Sequence, residues 1–171
     1  MEAERLTVLG AASLRYGPTI CGGLACYFGE LPLEIRFWDP DPERLDLFDL
    51  FARYLFKLNK TPHLLLSTED PLEAIYGTDR IVVALDDHNS GRYRENATPQ
   101  EALEALRPRF PDGAPILDLR NDPTISIPTE EEERALPHTI MRYLRGDEYA
   151  FEFLNEQEAS PVRVWLLEGL R

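Results

Sequence analysis

Short runs rich in Val, Ile, Leu and aromatic residues recur along the chain, and most are separated by stretches long enough for a helix. Six of them predict strands: residues 6–9, 33–38, 63–66, 80–85, 115–119 and 162–167. The first, fourth and last are nearly continuous apolar runs, as in Ile81-Val82-Val83-Ala84-Leu85. Such runs fit strands covered on both faces, and strands alternating with helices argue a parallel sheet between two helical layers. The predicted fold is α/β, a single Rossmann-like three-layer α/β/α domain over residues 1–171 with a mainly parallel six-stranded sheet in the order 3-2-1-4-5-6.

The helical segments differ in strength. Residues 16–28 contain Gly17, Pro18, Gly22 and Gly23, so a helix there rests on its position between two strands and on a backbone lying close to the sheet. Residues 43–59 are a much stronger helix. At 100° per residue, Leu45, Phe48, Ala52, Leu55 and Phe56 form one apolar stripe and Leu47, Leu50, Phe51, Tyr54 and Leu58 an opposite one. One stripe covers the sheet, and the other needs either a neighbour in the same chain or a second copy, a candidate homodimer through helix 43–59. Short helices follow at 73–76 and at 99–106, the latter with Thr98 and Glu101 in capping-box spacing. A helix beginning at Thr129 carries Glu130 to Glu133 in its first turn, where the helix dipole favours them, and breaks or kinks at Pro137 before continuing over 138–143. Gly146-Asp147 marks a turn before a last helix at 148–155.

The loop after the first strand, Gly10-Ala11-Ala12-Ser13-Leu14-Arg15-Tyr16, stands where dinucleotide-binding folds hold a pyrophosphate against helix N-terminal amides. It has the first glycine of that fingerprint, but Ala12 and Arg15 replace the second and third. Asp39 closes the second strand 29 residues after Gly10, in the place of the acid that accepts an adenosine ribose hydroxyl. An Asp there repels a 2′-phosphate, which favours NAD over NADP. The alternative is a simple turn, with Asp39 serving as a helix-start acid.

Composition narrows the partners. Of 171 residues, 43% are hydrophobic and 29% charged, ordinary values for a globular chain. Eighteen Lys and Arg against 31 Asp and Glu give a net charge of -13, which repels phosphate backbones and anionic membranes, so neither nucleic acid nor membrane is an expected partner. The same charge opposes an anionic dinucleotide unless amides and Arg15 offset it locally. With no secretory pattern at residues 1–10 and no long apolar run, the expected location is the cytoplasm. Cys21 and Cys26 are five apart in one helix and face around it, which makes them small core thiols rather than a disulfide.

Four blocks in order, LTVLGAASLRY at 6–16, FWDPDPERL at 37–45, LSTEDPLEAIYG at 66–77 and TDRIVV at 78–83, resemble the amino-terminal domain of the family-4 glycoside hydrolases, which are NAD- and manganese-dependent glycosidases. Lactate and malate dehydrogenase-like domains share that architecture. The resemblance covers about the first half of the chain and implies NAD as cofactor. By position it implies Gly10, Ala12, Ser13, Leu14 and Arg15 around the pyrophosphate, Asp39 at the adenosine ribose, and Asn121 near the nicotinamide ribose. The chain departs from the family at Ala12, at Asp122 between Asn121 and Pro123, and in the segment 86–91. No cysteine follows Cys26, so the family's metal-binding Cys motif is missing, as is its catalytic carboxyl-terminal domain. No catalytic and no metal-binding residue is therefore assigned.

Asp86, Asp87, His88 and Asn89 follow the fourth strand and could hold a cation or move protons, although a solvated loop has the same composition. His63 reads as structural, His138 as a cap or surface group, and Tyr149, Phe151 and Phe153 as packing residues. Ser13 has no neighbouring His to activate it as a nucleophile. Three functions fit: an NAD-binding module without glycosidase activity of its own, a small homodimeric NAD-dependent oxidoreductase, or a structural and interaction domain that has lost its cofactor.

Overall fold

The central strand β1 (Glu4–Leu9) is apolar towards both sides, with Leu6 and Val8 in the core on one face and Leu9 in the core on the other. It therefore needs cover above and below, and a parallel strand on each edge. In the computed structural model, which describes residues 3–146 and 149–169, those partners are β2 (Leu33–Trp38) and β4 (Arg80–Val83). β3 (Leu64–Thr68) extends the sheet beside β2 and β5 (Ile116–Asp118) beside β4, all parallel, in the order β3-β2-β1-β4-β5. This is the expected Rossmann-like α/β sheet with five strands rather than six.

Eight α-helices surround the described sheet: α1 (Gly17–Ala25), α2 (Pro42–Leu58), α3 (Pro71–Ile75), α4 (Asp87–Tyr93), α5 (Pro99–Leu106), α6 (Glu130–Leu144), α7 (Tyr149–Glu156) and α8 (Pro161–Glu168). The larger core lies on the face of Leu6, Ile35, Phe37 and Val82, covered by α1, α2 and the carboxyl-terminal helices. The smaller core joins Leu9, Trp38, Ile81 and Val83 to Ile75 of α3 and Ala102, Leu103 and Leu106 of α5.

The missing strand is α8. Residues 162–167 are an apolar run too short for periodicity to tell strand from helix. Pro161 occupies the first helical position, which suits its fixed φ, and Val162 and Leu166 are buried four residues apart on one side. The helix seats against α1. A Cβ on Gly22 would collide with Gln157 and one on Gly23 with Ser160, so these two α1 glycines admit the carboxyl-terminal segment rather than the sheet. The Ser160 hydroxyl donates to the Thr19 carbonyl at 2.8 Å across the same contact.

Two further expectations change. Pro137 lies inside a continuous α6 rather than ending it. The second stripe of α2 finds its cover in the same chain: the Phe51 ring stacks on Tyr143 of α6 at 6.0 Å and meets Phe153 of α7 at 5.5 Å. Phe51 is buried, Leu47, Tyr54 and Leu58 are partly buried, and Leu50 is the stripe member left exposed. The reason for pairing two copies through helix 43–59 is thereby removed for all but Leu50. The expected helix 148–155 is α7, residue 148 lying outside the described residues.

If α6 and α7 cover this stripe, Phe51→Ala should lower unfolding free energy by about 3 kcal/mol, whereas Leu50→Ala should change it by less than about 0.5 kcal/mol. Urea unfolding of the two variants measures both. Equal, small effects would mean that the stripe faces water.

Candidate functional site

The order of strands reverses between β1 and β4, since α1 carries the chain from β1 to one side and β4 lies on the other. Open α/β sheets bind ligands in the crevice outside the carboxyl ends of the strands at such a point. Here the crevice is a cleft of about 580 Å³, walled by Leu14, Arg15 and Tyr16 from the β1 loop, Asp86 to His88 after β4, Arg120 after β5, Ile127 and Pro128 just before α6, and Glu133 in its first turn. Arg44 of α2 closes one side and is shared with a second hollow bordered by Leu14, Glu133 and Arg134.

The loop that begins this cleft is held by its own hydrogen bonds. Gly10 turns the chain off β1 with φ +87°, where a Cβ would meet the Ala84 carbonyl oxygen at 2.5 Å and Asn89 Nδ2 at 2.6 Å. The amides of Gly10 and Ala11 donate to the Trp38 carbonyl at 2.8 and 3.0 Å, that of Ser13 to the Gly10 carbonyl, and that of Tyr16 to Ser13 Oγ. The Ala12 amide donates to Asp39 Oδ2 at 3.1 Å. Among the described residues, the amides of Leu14 and Arg15 are the two in this turn without an internal acceptor. Ala12 and Ser13 are buried, so these sequence-selected residues shape the loop, while Leu14 and Arg15 face the cleft.

Asp39 is 1% exposed and spends both carboxylate oxygens on the backbone, Oδ2 on Ala12 and Oδ1 on the Asp41 amide at 3.0 Å. Burial pushes its pKa up to about 6, against the pull of those two amides and with help from the negative charges of Asp86 and Asp41. In this arrangement it presents no oxygen to a ribose. Asp41 caps α2 by accepting the Arg44 amide, and its other oxygen meets His88 Nε2 at 2.9 Å. The His88 hydrogen bond and the nearby Arg92 and Arg44 charges, with the Arg44 amide, outweigh burial and hold its carboxyl below the ordinary carboxylate range.

Segment 86–89 is a helix start rather than a solvated loop. Asp86 accepts the Asn89 amide at 2.8 Å while Asn89 Oδ1 accepts the Asp86 amide at 2.9 Å, a reciprocal box that sequence reading missed because Asp-x-x-Asn is a weaker signal than Ser or Thr followed by Glu. These groups are thus engaged in capping, and among the described residues no three His, Cys, Asp or Glu side chains gather in a way that could hold a metal ion. The family's manganese has no fitting donor set there.

Arg15 differs from every other cation of the cleft. Arg120 is locked to Asp118, Nη2 to Oδ2 at 2.6 Å, and Arg44 lies 3.7 Å from Asp41. Arg15 lies over the Tyr16 ring at 5.1 Å, and its Nε is buried without any acceptor among the described residues. A buried guanidinium nitrogen left unpaired costs stability, so the position fits an anionic ligand that supplies the acceptor. Tyr16 is 2% exposed, and burial raises its pKa, which keeps the phenol protonated as a donor at the cleft wall. Arg120 reaches the cleft from a single 3-10 turn after β5, whereas its neighbour Asn121 is exposed and outside the lining.

His63 is a structural bridge: its Nδ1 accepts the Leu33 amide at 3.0 Å and its Nε2 lies 2.9 Å from the Tyr27 carbonyl. Burial lowers its pKa and keeps it neutral. His138 is exposed on α6, and Cys21 and Cys26 are free thiols, Cys21 buried. Phe153 packs against Phe51, while Phe151 is exposed. Among the described residues no helix is long and apolar enough to cross a membrane.

No protein-family model matches the sequence, and no curated protein does. Solved structures do. A 6-phospho-alpha-glucosidase from gut microorganisms, in complex with NAD and Mn2+, aligns with 87% of this chain and 37% of its own at 19% identity and a TM-score of 0.51. A 6-phospho-beta glucosidase from Thermotoga maritima with NAD and glucose-6-phosphate aligns with 50% of this chain and 20% of its own, at 20% identity and TM-score 0.43. A lactate dehydrogenase from Cryptosporidium parvum aligns with 64% and 34%, at 14% identity and TM-score 0.41. The chain thus spans well under half the length of these structures. The first likeness establishes a shared fold, the one the four sequence blocks imply.

The raised pKa of Asp39 has a measurable consequence. Its folded value of about 6 exceeds the unfolded value of about 4, so folding takes up a proton on this residue between those pH values. Its contribution to stability is therefore greatest below that window and falls as pH rises through it, by on the order of 3 kcal/mol. The stability of the wild type minus that of Asp39→Asn, from urea unfolding at successive pH values, should decline from pH about 4 to about 6 and stay level above. A flat difference would place the Asp39 carboxyl in an ordinary environment.

Proposed function

We propose that this chain is a nicotinamide-dinucleotide-binding module of the Rossmann type, one domain over residues 1–171 working in the cytoplasm, that takes NAD in the cleft at the β1/β4 crossing and performs no glycosidase chemistry by itself. The observation that carries the reading is Arg15, whose buried Nε has no acceptor among the described residues, beside two loop amides, those of Leu14 and Arg15, that also lack one there. These donors suit a pyrophosphate, whose charge-assisted hydrogen bonds would satisfy them. Arg44 and Arg120 add positive charge at the same place, a local offset in a chain of net charge -13.

Several supports come from outside the cleft. The 6-phospho-alpha-glucosidase structure in complex with NAD and Mn2+ shares the fold over most of the present sequence. Gly10 supplies the tight turn, with Ala12 and Ser13 forming its buried floor, and Asp39 stands at the end of β2 where an adenosine ribose would be read. Arg120, rather than Asn121, is the residue after β5 that reaches the cleft and would contact the nicotinamide side. When bound, NAD would supply hydride-transfer chemistry. This chain's own residues bind and orient it, and the protonated Tyr16 offers a hydrogen bond at the cleft wall.

Isothermal titration with NAD should give saturable binding, with NADP weaker because the carboxylate of Asp39 repels a 2′-phosphate. Arg15→Ala should weaken NAD at least about tenfold, the value of a charged hydrogen bond. The absence of heat at millimolar NAD, or an Arg15→Ala variant that binds as the wild type does, would overturn the reading.

A further inference from the structure

Helix α4 lies where the adenosine half of a dinucleotide would have to go. It packs against the residues on either side of Asp39 through three side chains, and a fourth ties its start to the β1 turn and the end of β4. Asn89 sits against Gly10 and donates Nδ2 to the Ala84 carbonyl at 3.2 Å. His88 Nε2 meets Asp41, Arg92 Nε donates to the Pro40 carbonyl at 3.2 Å, and the Tyr93 ring meets the Trp38 ring edge-on at 5.2 Å. Trp38, Asp39, Pro40 and Asp41 are the consecutive residues that end β2 and enter α2, so α4 touches both sides of Asp39.

We infer that α4 is a displaceable cover on the adenosine subsite, and that NAD gains Asp39 only when this helix lifts. The inference rests on the dinucleotide reading above. Two features make the cover removable rather than part of the permanent core. Its polar attachments to the β2 end are a 43%-exposed His side chain and an exposed Arg, both weakly held against water, beside one ring edge of the partly buried Tyr93. The helix itself is seven residues, DHNSGRY, with Gly91 inside and two buried side chains, Asn89 and Ser90, both near its start. The start is anchored by the Asp86–Asn89 box, and the end that carries Arg92 and Tyr93 is the part free to leave.

Lifting this end would uncover Asp39, whose Oδ2 could then exchange the Ala12 amide for a ribose hydroxyl, releasing that amide towards the pyrophosphate. Covered and open forms thus differ in the donors and acceptors they offer, which is what lets a ligand select one of them. The cost of opening lowers apparent affinity by the open fraction.

Arg92→Ala and, separately, Tyr93→Ala weaken the cover without altering a residue of the cleft lining. Without ligand, amide hydrogen exchange over residues 10–13 and 88–93 should quicken in both variants. Titrated with NAD, both should bind at least about fivefold tighter than the wild type, because a larger fraction is open. Unchanged exchange overturns the inference, as does quickened exchange with NAD affinity equal to that of a wild type that binds; in either case NAD binding by the wild type leaves the functional reading standing. If wild type and variants all fail to bind NAD, the dinucleotide reading falls and the inference with it.

Discussion

One buried carboxylate organises the top of this molecule. Asp39 follows the last residue of β2, is shut away from water, and accepts the amides of Ala12 in the β1 loop and of Asp41 at the start of α2. Removing a charge from water is unfavourable unless it is hydrogen-bonded, and two backbone donors meet that requirement in part. Their pull is not enough to cancel burial, which is why its pKa stays raised to about 6. Through this one group the β1 turn, the end of β2 and the cap of α2 become a single unit. Asp41 passes the connection on to His88 and hence to α4.

That unit decides which donors the loop can offer. With Trp38 accepting the first two amides and Asp39 that of Ala12, the free donors are displaced along the chain to Leu14 and Arg15. The centre of the candidate site shifts with them, from the glycine turn to the cleft between Arg15, Arg44 and Arg120. A strongly acidic protein concentrates three of its 18 basic residues there, and two of the three are neutralised by Asp41 and Asp118. Arg15, whose buried Nε has no acceptor among the described residues, is the unbalanced one, and an unbalanced buried donor is the feature that most directly calls for an anion.

The legible parts of this protein were those encoded by local, repeating physics. Strands β1 to β5 lie within two residues of the runs that announce them, because β1 and β4, buried on both faces, are apolar nearly throughout and β2 alternates buried and half-exposed positions. Thr98 and Glu101 marked α5 because capping chemistry is local. Residues 162–167 misled because six apolar residues carry too little periodicity, and the neighbour that settles them as a helix is α1, some 140 positions earlier in the chain. The α2 stripe was legible as a demand for cover but not as to its source, since Tyr143 and Phe153 reach Phe51 only through the fold.

The sequence by itself determined the parallel α/β architecture, the turn at Gly10 and the placing of an acid at the end of β2, because each follows from residue type and spacing along a strand or turn. Arg15 and Asp39 stand among the seven residues, with Gly10, Ala12, Ser13, Leu14 and Asn121, that the family resemblance places around a dinucleotide. Only the tertiary structure separated their states, leaving the buried Arg15 Nε without an acceptor among the described residues and both Asp39 oxygens engaged by backbone amides. Burial and hydrogen-bond satisfaction depend on groups brought together from distant parts of the chain, and no pattern within a local window encodes them.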